Sequence, residues 1–138
     1  MINFLMKTKR VRGYISAREI DGVIISHKVQ NLVIREFCKN NNYLFLLSSV
    51  EYKMKNSFII LDEVLNELSS LDGVVMYSMF QAPTNNGKRK KIFEFILKKS
   101  KFICFALENI IIKNLNDLTK FEEVFKLNQI FKYCPKKL

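Results

Sequence analysis

The sequence predicts one α/β domain in three layers: a mostly parallel sheet of four or five strands with helices on both faces. Three observations carry that expectation. Short runs rich in β-branched and aromatic residues alternate with segments of helical apolar spacing through nearly the whole chain, which implies right-handed crossovers between parallel strands. Two of the runs, Tyr43–Leu47 and Phe102–Leu107, are continuously apolar, as strands buried on both faces are. Finally, 138 residues at 49% hydrophobic content suffice for one ordinary core, with no internal repeat, low-complexity stretch or linker at which to divide them.

Residues 1–10 read as a flexible or peripheral N-terminal segment. Val11–Ser16 is the first strand, short and ending in polar residues. Ala17–Ser26 is a loop containing Gly22, and Ser26 caps a helix from about His27 to Asn40. Val29, Leu32, Val33, Phe37 and Cys38 give that helix its apolar spacing, and the asparagines at 40–42 stop it. Tyr43–Leu47 is the second strand and Ser48–Lys55 a polar loop. Asn56 or Ser57 caps a second helix whose inner face is Phe58, Leu61, Val64, Leu65 and Leu68. A turn at Leu71-Asp72-Gly73 leads into the third strand, Val74–Ser78. Gln81–Gly87 is the next loop, holding a proline and the turn signal Asn85-Asn86-Gly87. The third helix runs from about Lys88 to Ser100 with Ile92, Phe93, Ile96 and Leu97 inward. Phe102–Leu107 is the fourth strand and Ile110–Ile112 a short fifth. A last helix, about Asn116 to Tyr133, turns Leu118, Phe121, Val124, Phe125 and Ile130 inward, and Pro135 ends it.

Composition narrows the function classes. No apolar run approaches the roughly 20 residues of a spanning helix. The short apolar start Met1–Met6 precedes its basic cluster, the reverse of a secretory signal, so the expected location is cytoplasmic. The three cysteines, Cys38, Cys104 and Cys134, show no metal-ligand spacing, and Cys38 and Cys104 fall where a free cysteine acts as a small buried hydrophobe. His27 is the only histidine and reads as a helix-start residue, so neither a metal nor a cofactor is expected. The net charge of +10 draws attention to nucleic acid. Its excess is nearly all lysine, gathered at Lys7–Arg12, Lys88–Lys91, Lys98–Lys101 and Lys136-Lys137. Exposed-looking aromatics are not interleaved with it, as a single-strand binder requires. Solvated helix faces and an AT-rich coding bias are the favoured account.

In open α/β sheets, ligands sit beyond the carboxyl ends of the strands. Past the four main strands lie Ser16, Arg18 and Glu19; Ser48, Ser49, Glu51 and Tyr52; Tyr77, Ser78 and Gln81; and Glu108 with Asn109. This polar rim suits a phosphorylated or polyhydroxylated ligand, with Arg18 taking an anionic group bidentately. Strand ends are polar in any case, so the bland account is equally direct. Glu51 and Glu108 form a carboxylate pair only if the second and fourth strands lie close. No G-x-G-x-x-G, P-loop or G-x-S-x-G is present.

Two resemblances follow from particular segments. Arg12-Gly-Tyr-Ile-Ser-Ala-Arg18, Val29-Gln-Asn-Leu-Val-Ile-Arg35, Ser49-Val-Glu-Tyr52, Asn56-Ser57 and Asp72-Gly-Val-Val-Met-Tyr-Ser-Met-Phe-Gln81 resemble the bacterial sporadic carbohydrate cluster family, over about Arg12 to Glu108. That resemblance implies a place among genes of surface-polysaccharide biosynthesis more than a reaction. With Gln30 from the matching helix segment, the candidate ligand-binding residues are Ser16, Arg18, Gln30, Glu51, Tyr52, Tyr77, Ser78, Gln81 and Glu108. The order of elements is also similar to the catalytic domain of serine recombinases (resolvases). There the first strand ends in Tyr-x-Arg-x-Ser, whereas this chain reads Tyr14-Ile-Ser16-Ala-Arg18. Where that family carries arginines after its third strand, this chain has Phe80-Gln81-Ala82. Phosphodiester transfer needs such arginines to offset developing charge, so no catalytic residue carries over.

The leading expectation is an accessory or enzymatic protein of surface-polysaccharide biosynthesis that binds a sugar phosphate or nucleotide sugar at the strand-end rim. The alternative is a catalytically degenerate, recombinase-like nucleic-acid binder. A third is an interaction module, a homo-oligomer through the last helix, where Leu127 and Phe131 add apolar positions to a second face.

Overall fold

The computed structural model describes residues 8–133. Its elements are β1 (Lys9–Ser16), α1 (His27–Asn40), β2 (Tyr43–Glu51), α2 (Ile59–Asn66), β3 (Gly73–Met76), α3 (Asn86–Lys98), β4 (Phe102–Phe105), β5 (Ile110–Ile112) and α4 (Leu115–Tyr133). The predicted α/β class is the observed one. The sheet order is β2-β1-β3-β4-β5, with β1 to β4 parallel and β5 antiparallel to β4. The expectations for residues 1–7 and for Cys134 and Pro135 lie outside the described residues. Lys9 and Arg10 belong to β1, paired with Tyr43 and Leu44, rather than to a peripheral segment.

The two faces are covered unequally. Tyr14, Val74, Met76, Ile103 and Phe105 meet α2, α3 and α4 in one core, where Phe93, Phe105 and Phe121 pack edge-on and stacked at centroid distances of 4.9–6.1 Å. Val11, Ile15, Val75 and Cys104 meet α1 alone on the other face, against Ile34, Phe37 and Cys38. Alternation along each strand makes the division, since successive side chains point to opposite faces.

Local chemistry sets the boundaries. Ser26 caps α1 as predicted, its hydroxyl accepting from the Val29 amide, and Asn42 in the left-handed region (φ 57°) closes the other end. The buried face of α1 differs from the predicted one: Gln30 and Ile34 are inside with Phe37 and Cys38, while Val29 and Leu32 are exposed. Gln30 turns the helix that way because its amide bonds both backbone groups of Ser16. β2 runs four residues past the predicted Leu47, through a bulge in which Leu47 and Ser48 oppose Gly13. Arg12 satisfies the Leu47 carbonyl there, at 2.8 Å, and pairs with Glu67 at 2.6 Å. Neither Asn56 nor Ser57 caps α2. Phe58 holds the cap position, and the amides of Ile60 and Leu61 donate instead to the Glu51 carboxylate. On α4, Leu118, Phe121 and Phe125 are core, but Val124, turned away from that face, and Ile130, past the last core residue, are exposed. Among the described residues no helix is long and apolar enough to cross a membrane.

Candidate functional site

The carboxyl ends of the parallel strands bring the predicted rim residues to one edge of the sheet, but most of them are spent on one another. Ser16 is buried: Gln81 Nε2 donates to its Oγ at 2.8 Å, and Gln30 brackets its backbone at 2.9 Å on both sides. Gln81 also accepts from the Ser78 amide, and Ser78 Oγ donates to Glu108 at 2.7 Å. Glu108 accepts in turn from the Met79 amide. Tyr77 is buried, and burial, with the Glu108 carboxylate second, pushes its phenol pKa up. The hydrogen bonds among Ser16, Ser78, Met79, Gln81 and Glu108 lock the loop after β3 to the end of β1. Tyr52 points into solvent.

Glu51 is wholly buried at the end of β2. Burial alone would raise its pKa. The Tyr14 hydroxyl at 2.8 Å and the amides of Leu61, Ile60 and Tyr52 outweigh that and hold it below the ordinary carboxylate value. Its charge therefore serves as a cap for α2. Glu51 and Glu108 do not form a pair: β1 and β3 intervene between β2 and β4, a separation of about 14 Å at the usual strand spacing. Arg18 is partly committed too. Its Nη1 donates to the carbonyls of Met54 (3.2 Å) and Ser57 (2.5 Å), and its guanidinium lies 4.7 Å from the Phe58 ring centre.

Above this locked layer lies an open crevice. The strand order reverses between β1 and β3, and there the loops after β1, β2 and β3 separate. One lobe, of about 650 Å³, is lined by Arg18, Glu19, Asp21, Gly22, Ile24, Lys53 and Lys55. The second, of about 740 Å³, is lined by Phe58, Pro83, Asn85, Gly87, Lys88 and Lys91. Asn56 and Thr84 line both lobes and form the waist between them. Phe58 is the seam, with Arg18 over its ring and the Lys88 ammonium 4.4 Å from its centre. Arg89, fully buried, fixes the neighbouring wall. It donates to the carbonyls of Pro83 and Thr84 and forms a bidentate pair with Glu122.

Of the nine candidate ligand-binding residues only Arg18 lines this crevice, joined by Glu19 from the predicted rim. Lys53, Lys55, Asn56, Thr84, Asn85, Lys88 and Lys91 were missed. One signal could have found the last two: α3 opens with Asn86-Gly87-Lys88-Arg89-Lys90-Lys91 and has no acid in its first turn. A helix N-terminus favours negative charge, so that choice runs against the local field.

Chemically, the arrangement sets five cationic side chains, Arg18, Lys53, Lys55, Lys88 and Lys91, around open space. Cys38 and Cys104 lie in the α1-side core, where burial pushes the Cys38 thiol up to about 11 and Cys104 higher still, so neither is a nucleophile at neutral pH. His27 opens α1. No group of three metal-ligating side chains occurs among the described residues. No protein-family model matches the chain, and no curated protein matches it significantly.

Proposed function

We propose that the protein binds a phosphorylated sugar, either a sugar phosphate or a nucleotide sugar, in the crevice at the β1/β3 switch point. In this reading it serves bacterial surface-polysaccharide biosynthesis as an accessory or enzymatic protein. The observation that carries the binding is the convergence of Arg18, Lys53, Lys55, Lys88 and Lys91 on one open crevice, while the polar groups beneath it are saturated by each other. Cations left accessible beside a rigid floor suit phosphate recognition. The pathway rests on the resemblance of the Arg12–Arg18, Val29–Arg35 and Asp72–Gln81 segments to the carbohydrate-cluster family.

The nucleic-acid alternative draws on the net charge of +10. Against a recombinase-like role stands Ser16, buried with its hydroxyl held by Gln81. A second copy as partner is supported by Leu127, Ile130 and Phe131, each more than half exposed on the outer part of α4. Sedimentation equilibrium reads that directly: a dimer lost on Phe131→Lys supports it, and a monomer contradicts it.

A thermal-shift panel tests the main reading. Saturating sugar phosphate or nucleotide sugar should raise Tm by about 8–10 °C, the shift expected near 100 times Kd for a domain of this size. Lys88→Glu/Lys91→Glu should remove the shift. Duplex DNA at about 50 mM salt should give none; a shift from DNA alone would turn the account to nucleic acid.

A further inference from the structure

We infer that the ligand is a sugar monophosphate rather than a nucleotide sugar, seated with its phosphate in the Lys88/Lys91 lobe and its hydroxyls toward Glu19. This deepens the reading just given and rests on it. The two lobes differ in chemistry. The Lys88/Lys91 lobe has two ammonium groups and the amides of Asn56 and Asn85, and no carboxylate lines it among the described residues. The other lobe sets Glu19 and Asp21 against Arg18, Lys53 and Lys55.

Carboxylates repel a phosphate and accept hydrogen bonds from hydroxyl groups. An anion therefore gains most in the first of these lobes, and a polyol gains most in the second. Arg18 at the seam has already committed Nη1 to two carbonyls, which leaves it poorly placed to clasp a second phosphate bidentately. A nucleoside would need a flat face for its base. Among the described residues, Phe58 is the only aromatic side chain lining either lobe; it is buried, with two cations over its ring. The crevice thus offers a phosphate seat and a hydroxyl seat, but no base seat.

Calorimetric titration with inorganic phosphate, a hexose 1-phosphate and a uridine diphosphate hexose tests this. The hexose monophosphate should bind at least tenfold more tightly than inorganic phosphate, and more tightly than the diphosphate sugar. Lys88→Glu/Lys91→Glu should abolish binding of both monophosphates. Both positions are exposed, so the variant should fold, and its circular dichroism melt checks that. Glu19→Gln should weaken the hexose monophosphate about three- to tenfold and leave inorganic phosphate unchanged. Tighter binding of the diphosphate sugar, or a Glu19→Gln effect that is equal on both monophosphates or absent, overturns the inference while leaving a phosphorylated-sugar site in place. Binding of none of the three overturns the site itself.

Discussion

Glu51 carries a charge inside the fold because its carboxylate accepts from the Tyr14 and Ser57 hydroxyls and from three backbone amides. Its pKa is lowered on folding from the ordinary 4.5, so its contribution to stability is complete above that value and is lost as pH falls through the lower, folded one. Glu51→Gln places an amide NH₂ among donors and should destabilise by about 2–3 kcal/mol at neutral pH. It should also flatten the loss of stability below about pH 4.5, as denaturant melts across pH would record. Residues of this kind explain the limits of the sequence reading. Ser16, Gln30, Glu51, Ser78 and Gln81 sit at strand ends or on an adjoining helix, where polar side chains serve a ligand or one another equally well. Only the pairing of Gln81 with Ser16, 65 positions apart, reveals which. His27, Cys38 and Cys104 were legible because their local pattern already assigned them a helix start and buried positions.

At the scale of elements, helices were more legible than the edge strand. α1 keeps its predicted bounds and α3 starts two residues early, since caps and turn asparagines are local signals. β2 was cut short because its apolar run breaks at a bulge, and the strand resumes with Ser49 paired to Tyr14. A bulge is fixed by the neighbouring strand, here by Gly13. A Cβ at that position would collide with Ser48 Oγ and lie 2.8 Å from the Phe45 ring. Gly13→Ala should therefore destabilise by about 1–3 kcal/mol through overpacking, read by chemical denaturation. The cap of α2 was likewise illegible, because its acceptor comes from β2 rather than from the preceding loop. α3 carries cations where its dipole favours anions, a local conflict of the kind that marks functional surfaces.

For the whole molecule, alternation of strands and helices predicted the class, while the order β2-β1-β3-β4-β5 had to come from the fold. That order moves the candidate surface. The sequence directed attention to the strand-end residues themselves, whereas the topology opens the crevice one layer above them, between loops that reverse direction around β1. Arg18 belongs to both descriptions. The most direct measurement is amide chemical-shift mapping of the 16.3 kDa protein titrated with a hexose 1-phosphate. The account predicts saturable shifts concentrated at Arg18, Glu19, Asn56, Thr84, Asn85, Gly87 and Lys88, with α4 and β5 silent. Shifts scattered over the lysine-rich surface, centred on α4, or absent would contradict it.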